Sequence, residues 1–160
     1  SLITSSTKLI FAAVKVQSSN IHQVDSPWSD DYIISDEGNY TGLHVSDDGS
    51  ALSVWAYNYS GGASVTVPRP LPRGEFAIVT MSHQSGTLRC RVNGGAWASA
   101  ASGTTDSVSG TASMCGWNGS GDAPVMELAH IATVNTAQTD AAISAVEHWL
   151  ALDVGITPWW

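Results

Sequence analysis

The stretch from Glu75 to Gly155 constrains the fold most strongly, because alternating strand patterns follow one another there through short turn signals. From Phe76 to Ser82, every second residue falls on the same face of an extended strand. A second alternating run, Leu88 to Val92, follows the turn signal His83-Gln84-Ser85-Gly86. It ends in Asn93-Gly94-Gly95, residues that tolerate the positive φ of a tight reversal. This spacing predicts antiparallel hairpins rather than βαβ units.

The remainder of the stretch predicts two more strands and a helix. Strand patterns run from Ser113 to Trp117 and from Val125 to Val134, with a glycine-rich loop between them. Thr139 is suited to cap a helix, and Asp140 is favourable in its first turn. Gly155 ends the helical pattern. The helical stripe consists of Ile143, Val146, Leu150 and Val154.

The segment from Val67 to Gly74 is rich in proline, with Pro68, Pro70 and Pro72 at alternate positions. Proline cannot donate a ladder hydrogen bond and favours an extended, stiff chain. We therefore expect this segment to carry the chain from one sheet to the other. A partner-recognition motif is the alternative interpretation, and it has weaker support.

These patterns together resemble the concanavalin A-like lectin and glucanase superfamily, in its laminin G-like and pentraxin-like branch. The segments Phe76 to Trp97 and Cys115 to Ile156 carry the resemblance. Four upstream segments are similar to the remaining strands: Leu9 to Val16, Tyr32 to Ser35, Leu43 to Val45 and Leu52 to Tyr57. The resemblance implies an all-β, antiparallel two-sheet jelly-roll sandwich with one short C-terminal helix.

Members of this branch usually begin with a further strand, which would precede the segment Phe11 to Gln17. Ser1-Leu2-Ile3-Thr4 is similar only to the tail of that strand. We therefore expect residues 1–160 to be a single domain of this type and a fragment of a longer protein. The alternative is a complete domain that has lost only its initiator methionine.

Charge and hydropathy exclude two classes of partner. The formal net charge is −8, with 6 Lys and Arg against 14 Asp and Glu, so the chain has no basic patch to neutralise phosphates and we expect no nucleic acid. No apolar run approaches the roughly 18 residues of a membrane span, and we expect no membrane insertion. Abundant Ser, Thr, Gly and Asn suit an extracellular or virion-surface location.

The cysteines, Cys90 and Cys115, would form one disulfide if their strands were neighbours with facing β-carbons. The alternative, a free thiol, has stronger support for Cys90, because this residue alternates with Leu88 and Val92. On that pattern its thiol lies in the core as a small apolar group.

The acidic residues do not form the pair that a glycoside hydrolase needs. Retaining enzymes place two carboxyl groups roughly 5–5.5 Å apart on one cleft. The pairs Asp30-Asp31 and Asp36-Glu37 are adjacent in sequence, so on a strand they point to opposite faces, and Glu127 has no acidic neighbour. The histidines are isolated, and no nucleophile elbow or zinc spacing occurs. We therefore expect no enzymatic activity.

Calcium is the one cofactor that the resemblance suggests, because lectins and laminin G-like domains often hold it on loop carboxylates. The candidate ligands are Asp30, Asp31 and Asp122. Asp47-Asp48-Gly49-Ser50 also offers oxygen ligands, but its position between two strand patterns already predicts a hairpin turn.

Glycan binding needs flat apolar rings and oriented polar groups, and this chain has both in predicted loops and exposed strands. The candidate ligand-binding residues are Trp28, Asp30, Asp31, Tyr57, Asn58, Tyr59, Trp117 and Asn118. We expect Tyr57, Asn58 and Tyr59 to form a surface patch and Trp55 to be buried in the core. Trp97 and Trp149 are expected to be packing residues.

The sequence therefore predicts a non-catalytic, lectin-like binding or adhesion module that recognises glycans or a protein surface. Members of this branch occur in secreted multidomain proteins and in phage tail fibres and capsid decorations. The alternative is a purely structural virion or assembly domain, whose exposed apolar residues contact another subunit or a virion neighbour. A glycoside hydrolase is the third and least supported class.

Overall fold

The computed structural model describes residues 8–18, 31–36, 41–58, 62–103, 112–117 and 125–158. In chain order the elements are β1 (Leu9–Ser18), β2 (Asp31–Asp36), β3 (Gly42–Asp47), β4 (Leu52–Asn58), β5 (Ala63–Thr66), β6 (Phe76–Gln84), β7 (Thr87–Val92), β8 (Ala98–Ala101), β9 (Ala112–Trp117), β10 (Val125–Val134) and α1 (Asp140–Asp153).

The strands form two antiparallel five-stranded sheets. The first sheet has the order β10-β1-β6-β7-β8, and the second has the order β5-β4-β3-β2-β9. The predicted all-β sandwich with a C-terminal helix is confirmed.

The predicted turns are present and explain how neighbouring strands pair. Ser85 and Gly86 join β6 to β7 with φ angles of 51° and 71°, the paired positive values that a type I′ hairpin requires. Asn93 and Gly94 follow β7 with φ angles of 49° and 62°. The Asn93 side-chain Oδ1 also accepts a hydrogen bond of 2.7 Å from the Ile78 amide, which ties this second turn to β6.

The proline-rich segment is the predicted crossover, since it leaves β5 in the second sheet and enters β6 in the first. Leu71 bridges to Leu52, and the Arg73 guanidinium forms two hydrogen bonds, of 2.7 and 2.6 Å, with the carboxylate of Asp47. The hydrogen bond to Asp47 also raises the pKa of Arg73. The crossover is thereby fastened to the end of β3.

The main core lies between the sheets. Strand β7 contributes Leu88, Cys90 and Val92, as the alternation predicted. Both cysteine thiols are free: Cys90 is buried in the first sheet and Cys115 is partly buried in the second. Burial raises the pKa of both thiols.

Strand β1 is buried on both faces, because α1 covers the outer face of the first sheet. One face of β1 joins the main core, and the other packs beneath the helix. The residues in this second, smaller core include Leu9, Phe11, Ala13, Ile78, Ile143, Leu150 and Ala151.

Helix α1 begins and ends where the sequence predicted. The Thr139 hydroxyl accepts a 3.2 Å hydrogen bond from the Ala142 amide, and Gly155 follows the helix with a φ of 78°. Ile143 and Leu150 of the predicted stripe are buried. The stripe itself does not predict that Glu147 is also fully buried on this face.

A buried ion pair joins α1 to the first sheet. Arg91 donates to the Glu147 carboxylate at 2.9 and 2.6 Å, and the Thr80 hydroxyl donates to the same carboxylate at 2.6 Å. Trp97 stacks 4.1 Å from the Arg91 guanidinium, so the expected packing role of Trp97 is confirmed. The same expectation for Trp149 is wrong, because its side chain is 60% exposed on the outer surface of α1.

Candidate functional site

A cluster of four aromatic side chains, the aromatic cluster, lies on the outer face of the second sheet. It consists of Tyr32, His44, Trp55 and Tyr57. Tyr32 and Trp55 are the direct cross-strand partners of His44, and directly paired residues project from the same face of a sheet. The His44 ring centroid lies 5.0 Å from that of Tyr32 and 4.5 Å from that of Trp55.

The cluster is buried except at one edge. Trp55 is 0% exposed, which confirms that it is buried, although it lies on the outer face of its sheet rather than between the sheets. Tyr57 is only partly buried, and its ring centroid lies 5.7 Å from that of Trp55. The Tyr57 ring is therefore held by neighbouring rings while part of it remains open to solvent.

Polar groups accompany these rings on the same face. Ser64 is the cross-strand partner of Tyr57 and is exposed, so its side chain projects from the same face of the sheet as the Tyr57 ring. The indole Nε1 of Trp55 and the hydroxyl of Ser46 are enclosed, and neither has a hydrogen-bond partner within the described part of the chain. This face thus combines apolar rings with hydrogen-bonding groups.

Asn58 does not share this surface, so the expectation of a surface patch is wrong for that residue. Strand alternation turns its side chain towards the interior, where it is 1% exposed. Its amide donates to the Ser102 hydroxyl at 2.8 Å and lies 3.4 Å from His83 Nε2. Asn58 therefore links the two sheets at the end of the core and is not available to a ligand.

The other predicted binding residues stay predictions. Trp28, Asp30, Tyr59, Asn118 and Asp122 lie outside the described residues. The backbones of Asp31 and Trp117 pair with each other where β2 and β9 meet.

Calcium also remains a prediction for Asp30, Asp31 and Asp122. The described residues contain no group of three His, Cys, Asp or Glu side chains able to hold a metal ion. The carboxylates of the β3–β4 turn are already used: Asp47 binds Arg73, and Asp48 accepts hydrogen bonds from the amides of Ser50 and Ala51. The Ala51 amide and the Ser50 groups lower the pKa of Asp48 to about 2.

A groove of about 710 Å³ opens beside the crossover, and the sequence reasoning missed it. Its walls include Lys15, Phe76 and Asn93, together with the residues that follow α1. Lys15 lies 5.4 Å from the centroid of the Phe76 ring and forms a 2.6 Å ion pair with Glu127. No short sequence motif could reveal this groove, because its walls come from four distant segments.

Among the described residues, the walls of the groove do not hold the paired acids of a glycoside hydrolase. Glu75 is the one carboxylate among the described residues that line it. Hydrolysis with either stereochemical outcome uses two carboxyl groups on opposite sides of the glycosidic bond. The described walls of this groove therefore lack that arrangement.

Comparison with known proteins shows likeness at the level of fold. No family model matches the chain, and no curated protein matches its sequence. Among solved structures, it is similar to that of a "putative carbohydrate binding protein" from Bacteroides ovatus ATCC 8483. The TM-score is 0.62 at 18% sequence identity, and the match covers 87% of this chain and 40% of the other. The chain thus spans well under half of that protein's length.

In the described part of the chain, α1 is too short and too polar to cross a lipid bilayer.

Proposed function

We propose that this domain is a non-catalytic carbohydrate-binding module of the concanavalin A-like superfamily, in its laminin G-like branch. The observation that carries the proposal is Tyr57, which is partly exposed at the edge of the aromatic cluster and has the exposed Ser64 as its cross-strand partner. The similarity to the "putative carbohydrate binding protein" of Bacteroides ovatus supports the same function.

The chemistry of this edge suits a sugar. One face of a pyranose ring is lined by C–H groups, which pack against an aromatic ring, while its hydroxyls need hydrogen-bond partners at the ring margin. The packing of Tyr57 against Trp55 restricts its rotation, so little side-chain entropy is lost when a ligand binds. Trp28 and Tyr59 remain proposed ligand-binding residues of the domain.

We propose an extracellular or virion-surface location for the module, either within a secreted multidomain protein or within a phage tail fibre or capsid decoration. Its proposed partner there is a glycan or a protein surface. The low content of charged residues, 12%, supports this location.

A glycan array tests the proposal. The purified chain should bind selected glycans, and Tyr57→Ala and Trp28→Ala should each weaken that binding by about tenfold. Phe76→Ala is the matched control, because Phe76 is also a partly buried aromatic residue but lies in the groove, away from the aromatic cluster. Equal glycan binding by all three variants would refute the proposed binding surface. If the intact chain bound no glycan on the array, the proposed function would be refuted.

The second candidate is an assembly domain, and the exposed apolar side chains favour it. Met114, Val125 and Leu152 are all exposed among the described residues, and such side chains are common at subunit contacts. Sedimentation velocity distinguishes the candidates: a concentration-dependent oligomer that binds no glycan supports assembly. Turnover of a polysaccharide, abolished by a single carboxylate substitution, would instead show a hydrolase.

A further inference from the structure

The outer surface of α1 carries an exposed aromatic residue, Trp149, whose side chain does not pack in either core. Trp149 directly precedes Leu150, whose side chain is buried beneath the helix, and one residue of helical rotation turns Trp149 towards solvent. Neighbouring positions on the same surface, Ala145 and Leu152, are also exposed. Burial of the helix therefore does not explain a tryptophan at this position.

Two polar side chains flank this ring, and with it they form what we call the Trp149 platform: Trp149, His130 and Asp153. Asp153 lies four residues after Trp149, so the two share one side of the helix. His130 projects from β10 between them, with its ring centroid 5.6 Å from that of Trp149 and its Nε2 at 2.5 Å from Asp153 Oδ2. The His130 contact fixes the position of the carboxylate beside the ring.

Each member of the platform retains an unused hydrogen-bonding atom. Trp149 Nε1 is a donor, and Asp153 Oδ1 is an acceptor. His130 Nδ1 is the nitrogen that does not face Asp153. None of these three atoms is hydrogen-bonded to another residue in the described ranges. An exposed apolar ring beside polar atoms that have no partner within those ranges matches a ligand that is apolar on one face and hydroxylated at its margin.

Charge narrows the class of ligand further. The formal net charge of the chain is −8, and Asp153 adds a local negative charge that is 53% exposed at the platform. A sugar that carries a carboxylate or a sulfate would be repelled there. A neutral sugar would instead donate hydroxyl protons to the Asp153 carboxylate, and charge-assisted hydrogen bonds of this kind are among the stronger ones.

We propose that the Trp149 platform is a second carbohydrate contact of this domain, specific for neutral pyranose rings. The inference rests on the proposed function and extends it. Tyr57 lies on the outer face of the second sheet, whereas α1 covers the outer face of the first. The two contacts therefore face away from each other, and one module binds two separate sugar chains.

Isothermal titration with neutral hexasaccharides of glucose, galactose and mannose tests this inference. For the hexasaccharide that binds, the intact chain should bind two molecules, and Trp149→Ala and Tyr57→Ala should each leave one. Trp149→Phe should retain both, and Asp153→Asn should weaken the second contact by about tenfold. Val125→Ala is the control, since Val125 is also exposed but begins β10, five residues before His130. A hexasaccharide of uronic acid should not occupy the Trp149 platform.

The outcomes separate this inference from the proposed function. One bound molecule that depends on Tyr57 and is unaffected by Trp149→Ala would overturn the platform and leave the proposed function standing. One bound molecule that depends on Trp149 alone would support the platform and refute the Tyr57 surface. No binding of any neutral hexasaccharide would overturn the platform, and the proposed function would fall only if the glycan array also showed no binding. Loss of self-association in Trp149→Ala would show that the platform is a subunit contact and would overturn it as a sugar contact.

Discussion

Replacing Glu147 by alanine should remove the main polar link between α1 and the first sheet. Glu147 is fully buried, and its carboxylate accepts two hydrogen bonds from Arg91 and one from the Thr80 hydroxyl. Alanine favours the helix, so the local helical conformation is not weakened. The variant would leave the Arg91 guanidinium, itself nearly buried, without its counter-ion.

The expected loss follows from that unpaired charge. Removing one partner of a buried ion pair costs about 3–5 kcal/mol in the free energy of unfolding. For a domain of this size, that loss lowers the melting temperature by roughly 6–20 °C. The Trp97 ring stacked on Arg91 shields part of the charge, so the lower half of each range is expected.

Urea unfolding followed by tryptophan fluorescence, together with thermal unfolding followed by circular dichroism, measures the change. Glu127→Ala is the matched control, because Glu127 forms an ion pair of the same 2.6 Å length with Lys15 but is 59% exposed. That control should lose at most about 1 kcal/mol. In the double variant Arg91→Met/Glu147→Leu, much of the stability should return, because no buried charge remains. A loss below about 1 kcal/mol for Glu147→Ala would refute the buried pair and the docking of α1 that depends on it.

Three further predictions concern the turn, the thiols and one glycine. The pKa of the Asp48 carboxyl, measured by NMR, should be about 2. Its contribution to the stability of the β3–β4 turn should be complete above pH 3.8, the ordinary pKa of Asp, and should be lost as the pH falls through 2. A measured pKa near 3.8 would contradict the amide contacts. In a thiol-labelling assay at pH 8, Cys115 should react first, and Cys90 should react only after the protein unfolds. Equal labelling rates for the two thiols would contradict the burial of Cys90. Gly42→Ala should lower the free energy of unfolding by about 1–3 kcal/mol or more, because the β-carbon of the alanine would collide with the backbone of Ile34. A urea titration measures this change. An unchanged urea midpoint would refute the close pairing of β2 and β3.

Much of the sandwich could be predicted from the sequence, because local chemistry decides it. The turns at Ser85-Gly86 and Asn93-Gly94 use residues that accept positive φ, and the prolines between Val67 and Gly74 exclude a ladder strand. The helix has its cap at Thr139 and its stop at Gly155. Each of these features depends on a few neighbouring residues and needs no knowledge of distant contacts.

The candidate surfaces were harder to predict, because they depend on which distant elements cover each face. Asn58 and Tyr57 are adjacent and similar in polarity, yet strand alternation turns one towards the interior and the other towards solvent. Trp149 and Leu150 are likewise neighbours on α1 with opposite exposure. The helical stripe predicted the buried side from apolar residues alone, and the buried Glu147 is explained only by its distant partner Arg91.

The order of strands in the first sheet has a consequence for synthesis of the chain. Leu9 of β1 pairs with Val134 of β10, a separation of about 125 residues. At roughly 5–20 residues per second, a ribosome needs about 6–25 s to add the last strand after making the first. During that interval one side of β1 has no strand beside it, and its unpaired amides and carbonyls can recruit a strand from another nascent chain. We expect a chaperone to be needed at this stage when the protein is made at high concentration.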